Sequence, residues 1–406
     1  MTAPAATEVV TTAADAVALA RRLSVEFGAD ASARDSDRAL PHDQVRALRD
    51  SGLLALTVPE EFGGVDAPYE VVSEVFRTIA AVDPSLAQIP HSHFTFLEAV
   101  RLKGTPSQQS FFYGVVRGGG LLANAQSERG PHPVDVDATT LTKTESGDYV
   151  LAGRKFYSTG ALFADWVIVR ASVADGSGDA PTSSTPKALA FVPRDAPGLQ
   201  IVDDWDGMGQ RTTASGTVTL DDVRVPEEHV VPFSPIFAEP TTYGAQAQLL
   251  HAAIDVGIAT GALEEGVRNA ARARPHFEAR VDSTADDPTV VALAGELVVT
   301  VRAAQALLAE AARQVDAARA NPTADATAAA SIAVAVAKVA AVRASLEAST
   351  ALFELGGTRS ASASGNLSRY WRDARTHTLH DPVRWKIQHI GRHALSGTRP
   401  PRHGQI

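Results

Sequence analysis

The middle of the chain differs in periodicity from both ends, and this difference constrains the fold most. Residues 120–233 contain short runs rich in Val, Leu and Thr, separated by turn residues, and this pattern is typical of strands. The clearest runs lie at 148–153, 165–173, 187–193 and 216–226. Both flanks follow helical spacing instead. The sequence therefore predicts an α+β protein with a helical N-terminal domain (1–119), a central β-sandwich or barrel domain (120–233) and a C-terminal helical bundle (234–406).

The C-terminal part carries the strongest helical signals. Asp287–Pro288 and Asn321–Pro322 are typical helix starts. Apolar side chains follow the second start at spacings of three or four, namely Ile332, Val336, Val339, Val342, Leu346 and Phe353, with Thr350 in the same stripe. The high alanine content predicts close helix packing. Lys338, Arg343 and Glu347 interrupt the most apolar window, 331–349, which favours a buried helix over a membrane span.

Composition and charge exclude several classes of function. The chain has no cysteine, which excludes disulfides, thiolate zinc sites and thiol redox chemistry and fits a cytoplasmic location. Its formal net charge of -10 argues against nucleic acid as a partner. The first residues lack a basic region followed by an apolar run, so we expect no signal peptide. We expect a soluble protein without a membrane or nucleic-acid partner.

Three motifs in the same order resemble the acyl-CoA dehydrogenase superfamily. LLANAQSERG (121–130) stands where that family places a strand that contacts flavin. GRKFYSTGALFADWVIV (153–169) resembles its segment beside the isoalloxazine, and ALFELGGTRS (351–360) resembles its Gly-Gly element near the cofactor of a neighbouring subunit. The resemblance spans nearly the whole chain. It implies that family's fold, with a C-terminal four-helix bundle, and a homotetramer.

Two further segments narrow the resemblance. Residues 203–225 and 370–397 resemble the dibenzothiophene monooxygenase branch and the related sulfur-acquisition oxygenases. That resemblance implies FMN, with FAD as the alternative, supplied in reduced form by a separate flavin reductase. It also implies reaction with O₂ through a C4a-hydroperoxyflavin, which then oxygenates a small organosulfur or amine substrate.

Two short polar side chains stand in the motifs that the resemblance places beside the flavin. An oxygenase must shield its oxygenated flavin from water and offer it fixed hydrogen-bond donors. From the residues alone, Ser158 is either a flavin partner or a strand-end serine that satisfies a backbone group. Asn124 is either a turn amide or a flavin ligand. The resemblance favours the flavin role for both.

His377 and His380 are the sharpest candidates for proton chemistry. Their spacing of three puts them on one side of a helix if the segment is helical. Imidazole exchanges a proton near neutral pH, which few other side chains do. The resemblance places His380 closest to the reacting oxygens, with His377 behind it. The alternative is two surface histidines on a polar connection.

The substrate side departs from the dibenzothiophene pattern. Where those enzymes place a histidine and a tyrosine on an early helix, this chain has Gln88 and Ser92. His93 follows immediately and is a candidate partial substitute. A smaller sulfur or amine compound is therefore favoured over a tricyclic thiophene.

The flavin phosphate requires cationic or backbone donors. Arg274 aligns with the arginine that reaches a neighbour's flavin in this family, and Arg359 follows Gly356 and Gly357, which let backbone approach a cofactor. A surface salt bridge is the alternative for each arginine. Trp205 either covers the ring face or is a buried tryptophan of the β domain.

No metal site is expected. His389 and His393 are four residues apart, but no third ligand and no HExxH motif accompany them, so solvated helix positions are favoured.

Two alternatives to an oxygenase remain at this point. An acyl-CoA dehydrogenase needs a carboxylate to remove the proton next to the thioester. One family position for that base falls in 241–251, which has no Asp or Glu, and the other falls in 376–382, where Asp381 precedes a proline. The second alternative is a flavin-free binding protein, against which the motif residues Ser158, Asn124, Arg274 and Arg359 argue.

Overall fold

The structure, a computed structural model, describes residues 10, 12–131, 133–174 and 179–406. Within these residues a helical region, a β region and a second helical region follow one another along the chain. The predicted α+β arrangement is confirmed. Part of the predicted polar loop 174–186, residues 175–178, lies outside the described residues.

Seven helices form the N-terminal region: α1 (Ala13–Ala29), α2 (Ala31–Asp37), α3 (His42–Asp50), α4 (Tyr69–Ala80), α5 (Pro84–Gln88), α6 (His91–Lys103) and α7 (Pro106–Arg117). Several starts follow from local chemistry. The hydroxyl of Thr105 accepts from the backbone N–H of Gln108, and Oε1 of Gln108 accepts from the backbone N–H of Thr105. These two bonds form a capping box at the start of α7. Asp83 caps α5, with Pro84 in its first turn.

The central region is a mixed sheet of eight strands: β1 (Leu122–Ala125), β2 (Thr140–Lys143), β3 (Tyr149–Lys155), β4 (Trp166–Ala174), β5 (Lys187–Pro193), β6 (Leu199–Val202), β7 (Thr217–Val225) and β8 (Val230–Pro232). The order is β6-β7-β3-β2-β4-β5-β8, and β1 pairs with β4. The four strand runs expected from the sequence correspond to β3, β4, β5 and β7. Both β1 and β2 run parallel to β4, whereas the remaining pairs are antiparallel.

Three long helices and two shorter ones form the C-terminal region: α8 (Tyr243–Ala270), α9 (Pro288–Ala320), α10 (Ala324–Gly356), α11 (Ser368–His377) and α12 (Val383–Ser396). Asp287 caps α9 as its motif predicts, and Thr323, just after Asn321–Pro322, caps α10. Of the four helices expected for the bundle, three are long (α8, α9 and α10), and the fourth can only be one of the two short helices. A Cβ on Gly261 of α8 would lie 2.0 Å from the carbonyl oxygen of Ala81, after α4, so glycine allows the two backbones to touch.

Two helical stretches, Pro288–Ala320 and Ala324–Ala361, are long and apolar enough to cross a membrane by length and composition. In the second, 61% of the apolar window is buried within the molecule, as expected for a core helix, against 17% in the first. The described residues therefore leave most of the outer face of α9 uncovered.

Candidate active site

A cavity of about 810 Å³ lies where the three regions meet. Its walls come from the α5–α6 corner, from β1 and the segment after it, and from the loops around residues 157–159 and 205–215. The end of α11, with the turn that follows it, and Gln405 near the C-terminus complete the lining. The cavity thus brings together residues that are up to about three hundred positions apart.

Three hydroxyls line one wall as a hydrogen-bonded row. Thr213 Oγ1 donates to the carbonyl oxygen of Gln210 at 3.0 Å. Ser215 Oγ lies 2.7 Å from Thr213 Oγ1 and 2.7 Å from Thr159 Oγ1. Each hydroxyl has one hydrogen, so the fixed direction at Thr213 makes Ser215 donate to Thr213 and Thr159 donate to Ser215. Thr159 Oγ1 consequently offers only lone pairs to the cavity, and this favours a ligand group that carries an N–H.

Asn124 and Trp205, two predicted cofactor residues, line the cavity. Asn124 Nδ2 donates to the carbonyl oxygen of Tyr157 at 3.1 Å, and its Oδ1 accepts from Gln126 Nε2 at 2.9 Å, so its amide orientation is fixed. Trp205 Nε1 donates to the carbonyl oxygen of Gln210 at 2.9 Å. The indole is half-buried and stands edge-on to Tyr157, with ring centroids 6.3 Å apart.

Ser158 lies within the wall rather than on its surface. Its neighbours Tyr157 and Thr159 line the cavity, whereas Ser158 does not and is 1% exposed. Its backbone N–H donates to the carbonyl oxygen of Gly216, but Oγ has no hydrogen-bond partner among the described residues. The hydroxyl therefore satisfies no backbone group, and this excludes the structural alternative raised for it. The hydroxyl is thus unpaired just behind the cavity wall, and the structure does not bring it to the cavity surface.

The predicted histidines reach the cavity as part of a larger imidazole cluster. His377, the last residue of α11, and His380 both line the cavity. His377 Nε2 lies 3.1 Å from His251 Nδ1 on α8. The His251 ring lies between His91, at 3.7 Å between centroids, and His380, at 3.9 Å.

The rings of His91, His251 and His377 are held neutral by their surroundings. His91 Nε2 donates to the carbonyl oxygen of Ala247 at 2.8 Å, and burial lowers the pKa of His91 to about 3. Burial, together with the neighbouring imidazoles, lowers the pKa of His251 well below its ordinary value. Burial also lowers the pKa of His377, although Asp255 opposes this effect. His380 is the open member of the cluster, with 44% of its side chain exposed.

His93 is not brought to the cavity. Its Nε2 donates to the carbonyl oxygen of Leu54 at 2.9 Å, and its Nδ1 accepts from the backbone N–H of Leu122 at 3.1 Å. The ring is fully buried, and burial lowers its pKa to about 4. Both nitrogens are thus occupied, one in linking α6 to β1 and the other in linking α6 to the turn at Leu54, which corrects the expectation of a catalytic place for this residue.

The predicted phosphate contacts lie on a different surface from the cavity. Arg359 donates to the carbonyl oxygen of Arg272, two residues before the exposed Arg274. Gly356 ends α10, and Gly357 has a φ of 65°, in the left-handed region that glycine tolerates. In a single chain, therefore, neither arginine contacts the cavity that His380 lines.

Carboxylates near the cavity are committed to ion pairs. Among the described residues that line it, the acids are Glu128 and Asp137. Lys155 Nζ lies 2.7 Å from Glu128 and 3.0 Å from Asp137, and Arg170 Nε lies 2.7 Å from Asp137. Asp381 is buried against Lys386 and is not part of the lining. No carboxylate of this set stands free to act as a dehydrogenase base.

Sequence reasoning missed several members of the site. Thr159 and Ser215 are hydroxyl residues, which are too common in sequences to indicate a site. Arg129, whose guanidinium lies 4.8 Å from the centroid of the Tyr157 ring, belongs to the 121–130 motif but was not predicted as a site residue. His251 and Asp255 are four residues apart on α8, a spacing that puts them on one helix face. No pattern within one segment indicates that this face meets α11. In the described part of the chain, no group of three or more His, Cys, Asp or Glu residues is placed to hold a metal.

The comparisons with known proteins agree with this architecture. Residues 15–118, 123–223 and 249–385 match the N-terminal, middle and C-terminal domains of the acyl-CoA dehydrogenase family. This chain therefore belongs to the acyl-CoA dehydrogenase family.

Within that family the chain is similar to flavin-dependent oxygenases. It is 35% identical to a probable FMNH2-dependent monooxygenase, SfnC of Pseudomonas putida, across 95% of this chain and 96% of that protein. It is 33% identical to a dibenzothiophene monooxygenase of Rhodococcus erythropolis, across 95% and 94%. The crystal structure of TdsC from Paenibacillus sp. A11-2 with FMN and indole superposes with a TM-score of 0.90 at 32% identity, across 97% of this chain and 100% of that chain. The predicted place in the dibenzothiophene monooxygenase branch is confirmed.

Proposed function

We propose that this chain is a flavin-dependent monooxygenase that binds FMN in the 810 Å³ cavity and oxygenates a small organosulfur or amine substrate. The observation that carries the proposal is the chemistry of the lining, which offers hydroxyl, amide and imidazole groups while its carboxylates are paired with Lys155 and Arg170. The oxygenase names of the relatives, and FMN in the TdsC structure, support the same conclusion.

The residues present fit FMN. Thr159 Oγ1 offers lone pairs and so suits an N–H group of the flavin ring, while Asn124 offers a fixed amide. The Trp205 indole lines the cavity and can pack against a face of the flavin ring. The exposed guanidinium of Arg129 suits the phosphate of FMN. When bound, reduced FMN would supply the oxygen activation, with a separate reductase as its proposed source and a C4a-hydroperoxyflavin as the proposed oxygenating species.

The protein side of the reaction is proton control and exclusion of water. His380 faces the cavity and is the candidate to hold or move a proton there, since imidazole does so near neutral pH. The unpaired Ser158 hydroxyl is a donor that a bound group can recruit. Gln88 and Ser92 line the substrate side. The Oε1 of Gln88 has no partner among the described residues and suits a polar substrate better than a purely aromatic one.

We further propose that the working form is a homotetramer. On α9, Val291 is 52% exposed, Val298 44% and Val299 65%. We expect this apolar face to pack against another copy of the chain. Arg274 and Arg359 would then contact the flavin of a neighbour. Light scattering of the purified protein tests the assembly, and a monomer at micromolar concentration would contradict it.

The experiment that tests the function follows the enzyme with photoreduced FMN after anaerobic loading. On mixing with oxygenated buffer, we expect an oxygenated flavin species that persists before oxidised FMN returns. Ser158→Ala and His380→Ala should shorten its lifetime by tenfold or more and raise H₂O₂ release, with FMN affinity changed less than threefold. His42→Ala, at an exposed position on α3, is the matched control and should behave as the parent.

Two results would contradict the proposal. A return of oxidised FMN in one step, at the rate of free reduced FMN, would remove the oxygenase function. Desaturation of an acyl-CoA by the FAD-loaded protein would favour the dehydrogenase. Substrate breadth is tested in the same assay with indole and dibenzothiophene, of which we expect the smaller to be oxygenated faster.

A further inference from the structure

Each cavity histidine is backed by a buried aspartate and a buried lysine. His377 Nδ1 lies 2.6 Å from Asp255 Oδ1, and Asp255 Oδ2 lies 2.6 Å from Lys338 Nζ. His380 Nδ1 lies 3.6 Å from Asp381 Oδ1, and Asp381 Oδ2 lies 2.6 Å from Lys386 Nζ. All four charged partners are at most 3% exposed. Two histidine–aspartate–lysine rows thus converge on one cavity.

Stability does not explain these rows. Desolvation of two charges offsets most of their attraction, and apolar residues of similar volume often stabilise a core as well or better. Lys338 lies on an alanine-rich helix where an apolar side chain would pack without this cost. The polar rows therefore point to a role in the site that their histidines line.

The first row fixes the tautomer of His377. Despite burial, His377 and Lys338 hold the pKa of Asp255 below its ordinary value, so its carboxylate accepts from both. His377 must then carry its hydrogen on Nδ1, which leaves Nε2 as an acceptor for the Nδ1–H of His251. The row is complete, and His377 has no freedom to turn.

The second row is incomplete. The 3.6 Å between His380 and Asp381 exceeds a hydrogen bond, and Asp381 Oδ1 is buried without a partner in the described part of the chain. A small rotation of the His380 ring would complete it. A buried unpaired carboxylate oxygen costs free energy, so this contact is available to a ring that gains a positive charge.

We propose that the buried pairs Lys338–Asp255 and Lys386–Asp381 are positioning devices with different tasks. The first holds His377 as a fixed neutral acceptor, and the second receives His380 when that ring takes up a proton from the cavity. In that step the second imidazole nitrogen of His380 gains the proton, and its Nδ1–H donates to Asp381. Lys386, Lys338 and His380 are the charged or titratable groups that act on Asp381, and the His380 ring itself packs beside the rings of His251 and His91.

The inference rests on the proposed function for its purpose, but its test needs no flavin. Diethylpyrocarbonate acylates neutral imidazole, so its rate at His380, followed by mass spectrometry of the flavin-free protein between pH 5 and 8, reports protonation of that ring. Asp381→Asn removes the anionic partner. We expect the midpoint of the His380 pH profile to move to lower pH by at least half a unit, while Asp381→Glu restores most of it.

Asp255→Asn is the matched comparison, because it alters the other row. It should leave the His380 midpoint within a quarter of a unit and raise the acylation of His377, which the parent protects. With FMN bound, both asparagine variants should shorten the oxygenated-flavin lifetime tenfold or more, and Asp381→Asn should also shift its pH profile.

An unchanged His380 midpoint in Asp381→Asn overturns the second assignment, and unchanged His377 protection in folded Asp255→Asn overturns the first. Should Asp255→Asn fail to fold, Lys338→Met tests the same row because it removes the cation that holds Asp255, and unchanged His377 protection in that variant likewise overturns the first assignment. Failure of the flavin experiment alone, with the midpoints moved as expected, leaves the positioning devices standing and removes only the oxygenase function.

Discussion

The carboxyl of Asp373 on α11 is buried against the loop that carries the hydroxyl row, and burial disfavours its ionised form. It is fully buried, and its Oδ1 accepts from the backbone N–H of Gln210 at 2.6 Å. Burial first, and then the neighbouring carboxylates of Asp35 and Asp83, raise the pKa of Asp373 from 3.8 to about 7. Asp373→Asn keeps an oxygen that accepts from the Gln210 N–H but cannot ionise. We predict that it abolishes the part of the pH dependence of the free energy of unfolding that Asp373 contributes.

The sign and size follow from proton linkage. Between pH 3.8 and about 7 the folded state keeps a proton on Asp373 that the unfolded state has released. The free energy of unfolding therefore falls by about 1.4 kcal/mol for each pH unit in this window and levels off above it. From pH 5 to pH 7 the contribution of Asp373 is a loss of about 2 kcal/mol, because the folded state is already half ionised near pH 7, and the variant should not show this loss.

Urea unfolding at pH 5, 6, 7 and 8, followed by tryptophan fluorescence, measures this difference. The variant should gain on the parent progressively from pH 5 to pH 7 and then keep a constant lead. Subtraction cancels the groups that titrate in both proteins, and Asp206→Asn, at an exposed position in the 205–215 loop, controls for the loss of one charge. A parent and variant that run parallel from pH 5 to pH 8 would refute the assignment of a buried proton to Asp373.

Two further changes test the packing that positions the site. Gly261→Ala would place a Cβ 2.0 Å from the carbonyl oxygen of Ala81 and should destabilise the fold by about 1–3 kcal/mol in urea, whereas Gly114→Ala on α7, with no atom within 4 Å, should stabilise it by up to about 1 kcal/mol. Equal effects of the two alanines would contradict close contact between α8 and the residue after α4. His93→Phe leaves the Leu54 carbonyl and the Leu122 N–H unpaired, at about 1–3 kcal/mol each, so the urea midpoint should fall while FMN affinity per folded molecule stays the same. A loss of affinity without a loss of stability would return His93 to the site.

The order of regions, the main strands and the helix starts were accessible from sequence because they depend on local chemistry. Asp287 before Pro288 predicts the start of α9, and the structure has Asp287 as its cap. The buried face of α10 was harder to predict. Ala337, Ala341 and Ala344 are completely buried, whereas Ile332 and Val336 in the predicted stripe are only half-buried. In a helix rich in alanine, apolar periodicity shows little contrast, so the larger residues do not mark the packed side.

The site was predictable where one segment carries it and unpredictable where helices converge. His377 and His380 share a motif, and both reach the cavity. His91 and His251 stack with them only because α6, α8 and α11 meet, and no spacing within a segment reports such a meeting. His93 shows the reverse error, because its place in the sequence suits the substrate side while its ring points to β1.

Lys338 bears on both the fold and the site. In the sequence it interrupts an apolar window, and there it argues only that the helix does not span a membrane. In the structure the same charge reaches across to α8 and pairs with Asp255, which in turn orients His377 at the cavity. Places where a sequence breaks its own pattern are often functional, since selection tolerates the cost only for a gain elsewhere. The buried lysine of α10 and the buried lysine of α12 meet that description in the same site, because each pairs with an aspartate that stands behind a cavity histidine.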